Sequence, residues 1–276
     1  MTSQDFKIRF WGVRGSLPVP GPTAVYFGGN TPCVEIRCGA SVLIFDAGTG
    51  IFPLGRRLVD QSARQVELFL SHYHSDHIEG LPFFEPLHRR DFKVRVWAGN
   101  RPHGLTVKQM LDQFMNPPFF PVTVEAFASK REFHDFTPGE DLQPAPGVLI
   151  ATMLLNHPDA CTGYRVFYRN RSVCYITDTE HRPGLADISL TKFIRGADIV
   201  IYDAMYDDSE FRRYQGFGHS TWQEGIRLCE KAKARRLILF HHSPSKTDND
   251  LERLERKIEA ARPGTLIARE GLEIML

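Results

Sequence analysis

Apolar and polar positions alternate along much of this chain, and the alternation predicts a series of short strands. In Val66-Glu67-Leu68-Phe69-Leu70 the aliphatic residues share one face of an extended backbone, the pattern of a core strand. The same reading gives strands at 6–11, 33–37, 41–45, 94–97, 148–155, 163–168, 172–177, 199–202 and 237–240, with 33–37 and 41–45 joined as a hairpin through Gly39. Helical patterns cover 51–60, 105–115 and 248–262, and two short strands close the chain. A further helix begins just after His219, where Thr221 and Glu224 have capping-box spacing and Trp222, Ile226 and Cys229 fall on one face. Segment 12–30 is a loop dense in Gly and Pro, and its glycines would let backbone N–H groups approach a phosphate. There is no internal repeat and no low-complexity segment.

Polar clusters stand where the strands run out. Directly behind 66–70 comes His72-Tyr73-His74-Ser75-Asp76-His77, three imidazoles and a carboxylate in six residues. These groups suit divalent zinc and its first-row neighbours. In extended backbone His72 and His74 point the same way and can grip one ion. A turn after Ser75 would displace Asp76 and His77 by a few ångströms, on the order of the ~3.5–4 Å spacing of two-metal sites. Asp46, His157, Asp178, Asp203 and the pair His241-His242 follow other strands. The two oxygens of Asp178 can bridge two cations. Neighbours at a strand end face opposite ways, so one of His241 and His242 is expected to bind metal. The helix behind His219 would aim its first N–H groups at an anion. Phe119 and Phe120, behind tandem prolines, can flank a site and stack on a base. Glu180 and His181 are suggestive but carry no assigned role.

Composition narrows the partners. The 276 residues allow one large domain or two small ones, and candidate ligands spread from 72 to 242 favour one domain spanning 1–276. With 34 basic and 33 acidic residues the net charge is +1, which gives no general field for drawing in a long nucleic acid. Arg131 and the basic run 231–236 are read as solvated surface. Five cysteines without metal-like spacing are expected to be reduced thiols. The first residues lack an apolar core of signal-peptide length, and the longest apolar stretch, 148–155, is too short to span a bilayer, so a cytosolic protein without membrane association is expected.

The His72–His77 cluster resembles the HxHxDH signature of the metallo-β-lactamase fold superfamily of hydrolases, and the likeness extends over most of the chain. It implies a four-layer αββα sandwich, two facing sheets with helices outside and metal ligands on loops along one edge. The resemblance implies one ion held by His72, His74 and His157, another by Asp76, His77 and His241, and Asp178 between them. His241 rather than His242 matches the family's His-x-Ser pattern. Asp46 would lie behind the ligands and hold them by hydrogen bonds. The lactam-cleaving branch has cysteine where Asp178 stands, so the aspartate looks like the phosphodiesterase and thioesterase branches. Residues 11–16 and 26–31 resemble the opening of phosphodiesterase-like branches. His219-Ser220-Thr221 is similar to a triplet of the tRNA 3′-processing endonucleases, in which the histidine, oriented by an upstream carboxylate, serves the leaving oxygen. Asp203 takes that carboxylate's place, where the endonucleases carry glutamate.

The expected function is a dinuclear metal-dependent phosphodiesterase. Two divalent ions, Zn2+ first and Mn2+ or Fe as alternatives, would lower the pKa of a shared water from 15.7 toward roughly 7 for attack on phosphorus. His219, held by Asp203, would protonate the departing alkoxide, and Asp76 is counted with them as catalytic. The expected substrate is a small phosphodiester, a cyclic nucleotide or cyclic phosphate, seated against Phe119 or Tyr206 and near Ser220 and Thr221. The chain lacks the long, basic, Gly-rich arm of the tRNA-processing relatives, which makes tRNA 3′ processing the second reading. A thioester or acyl hydrolase and a non-catalytic binding protein are the others, and the resemblance adds a homodimer as an expected assembly.

Overall fold

Two seven-stranded sheets face each other in the computed structural model, which describes residues 6–276. The leader-free reading of the first residues falls largely on 1–5, outside the described residues. The first sheet contains β1 (Phe6–Gly12), β2 (Cys33–Cys38), β3 (Ser41–Phe45), β4 (Gln65–Leu70), β5 (Lys93–Ala98) and β6 (Lys130–Asp135) in chain order. The second contains β7 (Asp141–Ala145), β8 (Val148–Leu155), β9 (Cys161–Tyr168), β10 (Arg171–Ile176), β11 (Ile199–Asp203), β12 (Arg236–Phe240) and β13 (Leu266–Ile267), also in chain order. The last strand, β14 (Glu273–Met275), returns to the first sheet beside β1.

In each sheet antiparallel pairs give way to parallel ones. β3 through β6 are parallel neighbours, as are β10 through β13. Parallel neighbours require crossovers. α1 (Ile51–Val59) links β3 to β4, and α3 (Val107–Phe114) lies between β5 and β6. On the other sheet α4 (Ile188–Phe193) follows β10, the short α5 (Asp208–Phe211) and α6 (Trp222–Ala232) follow β11, and α7 (Asp248–Ala261) follows β12. Several strands therefore end on the same side, and the polar clusters of the sequence sit at those ends.

Side-chain alternation sets the layers. Phe10, Phe45, Phe69, Val166, Tyr175, Ile201 and Phe240 fill the space between the sheets. Burying each such side chain contributes roughly 1.5–3 kcal/mol. Val66, Leu68 and Leu70 point the other way, onto Leu54, Leu58 and Leu111 of α1 and α3. Val200, Leu237 and Leu239 meet Leu190, Ile226, Leu251 and Ile258 of α4, α6 and α7. This is the four-layer αββα sandwich.

Two of the edge strands, β6 and β7, carry residues that mask a strand in the sequence. β6 reads Lys-Arg-Glu-Phe-His-Asp, and β7 contains Pro144. Charge and proline belong on sheet edges, where one side of the ladder goes unpaired. Thr221 accepts the Glu224 N–H at 3.1 Å, but Glu224 turns to Arg227 instead of completing a capping box. The five cysteines are buried and form no disulfide. Among the described residues, no helix is long and apolar enough to cross a membrane.

Candidate metal centre

β4 hands the chain to Ser71 and His72, both buried, and Asp46 lies behind them one residue past β3. Asp46 Oδ1 accepts the Ser71 N–H at 2.7 Å. Its Oδ2 accepts the Ser71 hydroxyl, the His77 Nδ1–H and the Tyr175 hydroxyl, each at 2.8 Å. A hydroxyl has one proton to give, so Ser71 Oγ receives the His72 Nδ1–H at 3.0 Å. His157 in turn donates its Nδ1–H to the Gly218 carbonyl at 2.8 Å. These partners leave Nε2 of His72, His77 and His157 for the centre.

Two groups of donor atoms result. His72, His74 and His157 form the first, with His74 Nδ1 at 3.1 Å from His157 Nε2. Nε2 of His72 is buried without a hydrogen-bond partner, and such an orphan costs roughly 1–3 kcal/mol. The single turn α2 (Ser75–Ile78) carries Asp76 and His77 round to the second group. There His77 Nε2 lies 3.2 Å from Asp76 Oδ2 and from Asp178 Oδ2. His241 Nε2 lies 3.2 and 3.3 Å from the same two oxygens, and 3.3 Å from His77 Nε2. Donors placed tetrahedrally at ~2.0–2.1 Å from an ion are about 3.3 Å apart, so this set fits a small divalent cation. Asp178 Oδ1 faces the first group, 3.8 Å from His72 Nε2 and 3.9 Å from His157 Nε2. One carboxylate stands between the groups, an oxygen toward each.

The charges call for a cation. Burial would raise the carboxyls of Asp76 and Asp178, yet the surrounding imidazoles hold both below the ordinary range. His77 is held well above its usual value: burial opposes this, and the carboxylates of Asp76, Asp178 and Asp46 prevail. His72, enclosed by protein and other imidazoles, is pushed well below. Backbone strain collects here too. Asp46, Asp178 and His241 have φ of 62°, 49° and 60°. Such conformations cost on the order of 1–3 kcal/mol each and persist where the surroundings enforce them.

His219 stands beside both groups. Its Nδ1 lies 2.9 Å from Asp203 Oδ2 and 3.7 Å from Asp178 Oδ1. Burial lowers its proton affinity, but Asp203, followed by Asp178 and Asp76, outweighs this and pushes the imidazole up to about 9. A cavity of about 240 Å³ opens over the centre, lined by Ser16, His74, Ser75, Asp76, Asp178 and His219. A larger cavity of about 570 Å³ lies beyond His181 and contains none of the clustered donors.

Several expected substrate contacts are engaged elsewhere. Ser220 Oγ is buried between His181 Nδ1, at 2.8 Å, and the Tyr202 hydroxyl, at 2.9 Å. Thr221 caps α6 and donates to Asp208 at 2.6 Å. Two of the first N–H groups of α6 are spent as well, Trp222 on the Tyr206 carbonyl and Glu224 on Thr221, so those two do not face an anion. Phe119 is 87% exposed and does not line the cavity, while Phe120 packs edge-on against Phe83. Tyr206 is buried, its ring edge-on to His219 at 6.1 Å.

The loop 12–30 also works differently from the expectation. Val13 and Arg14 donate to the Asn30 carbonyl, Gly15 to His242 and Ser16 to Asp76. These four N–H groups tie the loop down, that of Ser16 onto the centre itself, and do not face a phosphate. A Cβ on Gly15 would lie 2.3 Å from His241 Nδ1, so the glycine admits the ring. His242 turns away and donates to the Ala268 carbonyl at 2.8 Å, which leaves His241 as the one facing the cluster. Ser16, Ser71 and Tyr175 carry no signal in sequence beyond standing next to motifs or in strands.

The descriptor "Beta-lactamase superfamily domain" matches residues 42–242. Curated relatives include proteins named ribonuclease Z from Gemmatimonas aurantiaca, 26% identical with 98% of this chain and 95% of that one covered, and from Pyrococcus furiosus, 24% identical with 86% of each covered. Among solved structures, a diphosphatase of the PhnP family superposes with a TM-score of 0.71 at 19% identity, covering 98% of both chains. The short form of human tRNase Z gives 0.66 at 18% identity, covering 97% of this chain and 98% of that one. With its paired histidine and aspartate groups at the strand ends of an αββα sandwich, the chain belongs to the β-lactamase superfamily and is one of its hydrolases.

Proposed function

We propose that this hydrolase cleaves a small phosphodiester, a cyclic nucleotide or other cyclic phosphate. The observation that carries the reading is the His219–Asp203 pair, 2.9 Å apart, on the rim of the cavity beside both donor groups. Attack at phosphorus expels an alkoxide, which needs a proton. A thioester's leaving group needs one far less. With Nδ1 tied to Asp203, the other ring nitrogen of His219 serves the cavity as general acid. The Asp203 carboxylate, 2.9 Å from Nδ1, favours the protonated ring that a general acid requires.

The nitrogen and oxygen donors suit zinc, with manganese or iron as alternatives. Two such ions, when bound, supply Lewis acidity and acidify water. The chain's own part is to hold them: His72, His74 and His157 for one, Asp76, His77 and His241 for the other, and Asp178 for both. Asp46 fixes His77 directly and His72 through Ser71. Donors that converge from residues 72 to 241 support a single catalytic unit over 1–276. Unpaired buried cysteines support a reducing, cytosolic setting.

The cavity of about 240 Å³ supports a small substrate. A second reading, tRNA 3′ processing, is favoured by the curated relatives named ribonuclease Z. One panel separates the readings: bis-p-nitrophenyl phosphate, 2′,3′- and 3′,5′-cyclic nucleotides, a tRNA precursor and a thioester, each with metal-loaded protein. Cleavage of a cyclic nucleotide in preference to the tRNA supports the first. Cleavage of the thioester alone overturns both.

A further inference from the structure

We propose that Phe217 is the platform on which this site stacks a nucleobase, set beside His219 by the carboxylate of Glu180. The inference rests on the phosphodiester reading and names the chemistry of the substrate's other half. Phe217 is 62% exposed although it lies two residues from His219. Its flanking glycines, Gly216 and Gly218, have φ of 89° and 85°, a left-handed backbone that glycine adopts without strain. Glu180 Oε2 accepts the N–H of Gly216 at 2.7 Å and of Gly218 at 2.9 Å. One carboxylate thus pins the backbone on both sides of the ring.

Glu180 is itself fixed to the residue before His157. Its N–H donates to the Asn156 carbonyl and its carbonyl accepts from Asn156 Nδ2, both at 2.7 Å. Phe217, His157 and His219 therefore share one frame. An aromatic ladder supports the ring from behind. Tyr214 meets Phe217 edge-on at 6.1 Å, Tyr206 stacks on Tyr214 at 4.5 Å, and Tyr206 reaches His219 at 6.1 Å. A phenylalanine held this firmly in solvent forgoes the stabilisation of burial. A planar π-faced group carried in by the substrate would cover it. Neither Phe119 nor Phe217 lines the cavity itself; what sets Phe217 apart is the Glu180 carboxylate that ties its two neighbours to the frame of His157 and His219.

The test uses two diesters with the same leaving group, thymidine 5′-p-nitrophenyl phosphate and methyl p-nitrophenyl phosphate. In Phe217→Ala the ratio of their kcat/KM values is expected to fall roughly tenfold, through KM of the nucleoside ester, a typical loss for one base stack. Phe217→Trp should restore the ratio. Binding is read separately in the metal-loaded protein by calorimetry with AMP and ribose 5-phosphate. AMP should bind more tightly than ribose 5-phosphate to wild type and lose that advantage in Phe217→Ala. An unchanged ratio in a folded variant, or equal binding of the two ligands to wild type, overturns the proposal. Hydrolysis of neither diester overturns the phosphodiester reading alone, and the binding comparison then still decides the role of Phe217.

Discussion

The carboxylate of Asp46 accepts the Nδ1–H of His77 at 2.8 Å, and this contact fixes which nitrogen His77 turns toward the centre. Loss of such an outer partner typically lowers metal affinity by about 10- to 100-fold. Asp46→Asn, which keeps the shape but places an amide among three donors, is expected to show a loss in that range. Competition against a chromogenic chelator measures it, and wild-type affinity in the variant contradicts the role.

Asp178 lends one oxygen to each donor group, so its removal should weaken both. Asp178→Ala is expected to bind fewer than two metal ions per chain by elemental analysis. Two ions at full occupancy would remove Asp178 from its place between them.

His219→Ala should keep the metals and lose turnover by roughly 10²–10⁴-fold on a cyclic nucleotide, whose alkoxide must be protonated. The loss should be much smaller on bis-p-nitrophenyl phosphate, because p-nitrophenolate departs unaided. Asp203→Asn should follow the same pattern, since Asp203 orients the ring. Equal losses on both substrates would mean that His219 does something other than donate a proton.

Gly218 is pressed against a ligand. A Cβ there would lie 2.1 Å from His157 Nδ1, whereas one on Gly184 would meet nothing within 4 Å, although both residues have positive φ. Gly184→Ala is expected to show only the backbone cost of a Cβ at positive φ, roughly 1–2 kcal/mol. Gly218→Ala should be less stable still in thermal unfolding and should lose metal from the His72, His74 and His157 group. Equal behaviour of the two variants contradicts the close packing of loop and ligand.

What was legible in the sequence was whatever depended on short spacing. His72, His74, Asp76 and His77 follow a strand whose alternation is unambiguous, and the placement of Asp46, Asp178, Asp203 and His241 at strand ends follows from the same periodicity. Residues whose partners are distant in sequence were not legible. Ser220 and Thr221 looked available for substrate, yet Tyr202, His181 and Asp208 occupy them from other elements. Glu180 carried no assignment because its partners, Gly216 and Gly218, lie more than thirty residues on. The edge strands β6 and β7 were hidden by charge and proline, the features that suit them to an edge.

The central claim is a pair of cations held on either side of Asp178. An anomalous difference map at the zinc edge, from crystals of protein prepared with zinc, reads it directly. Two peaks about 3.5–4 Å apart, one against His72, His74 and His157 and the other against Asp76, His77 and His241, are expected. A single peak, or peaks remote from Asp178, would contradict it.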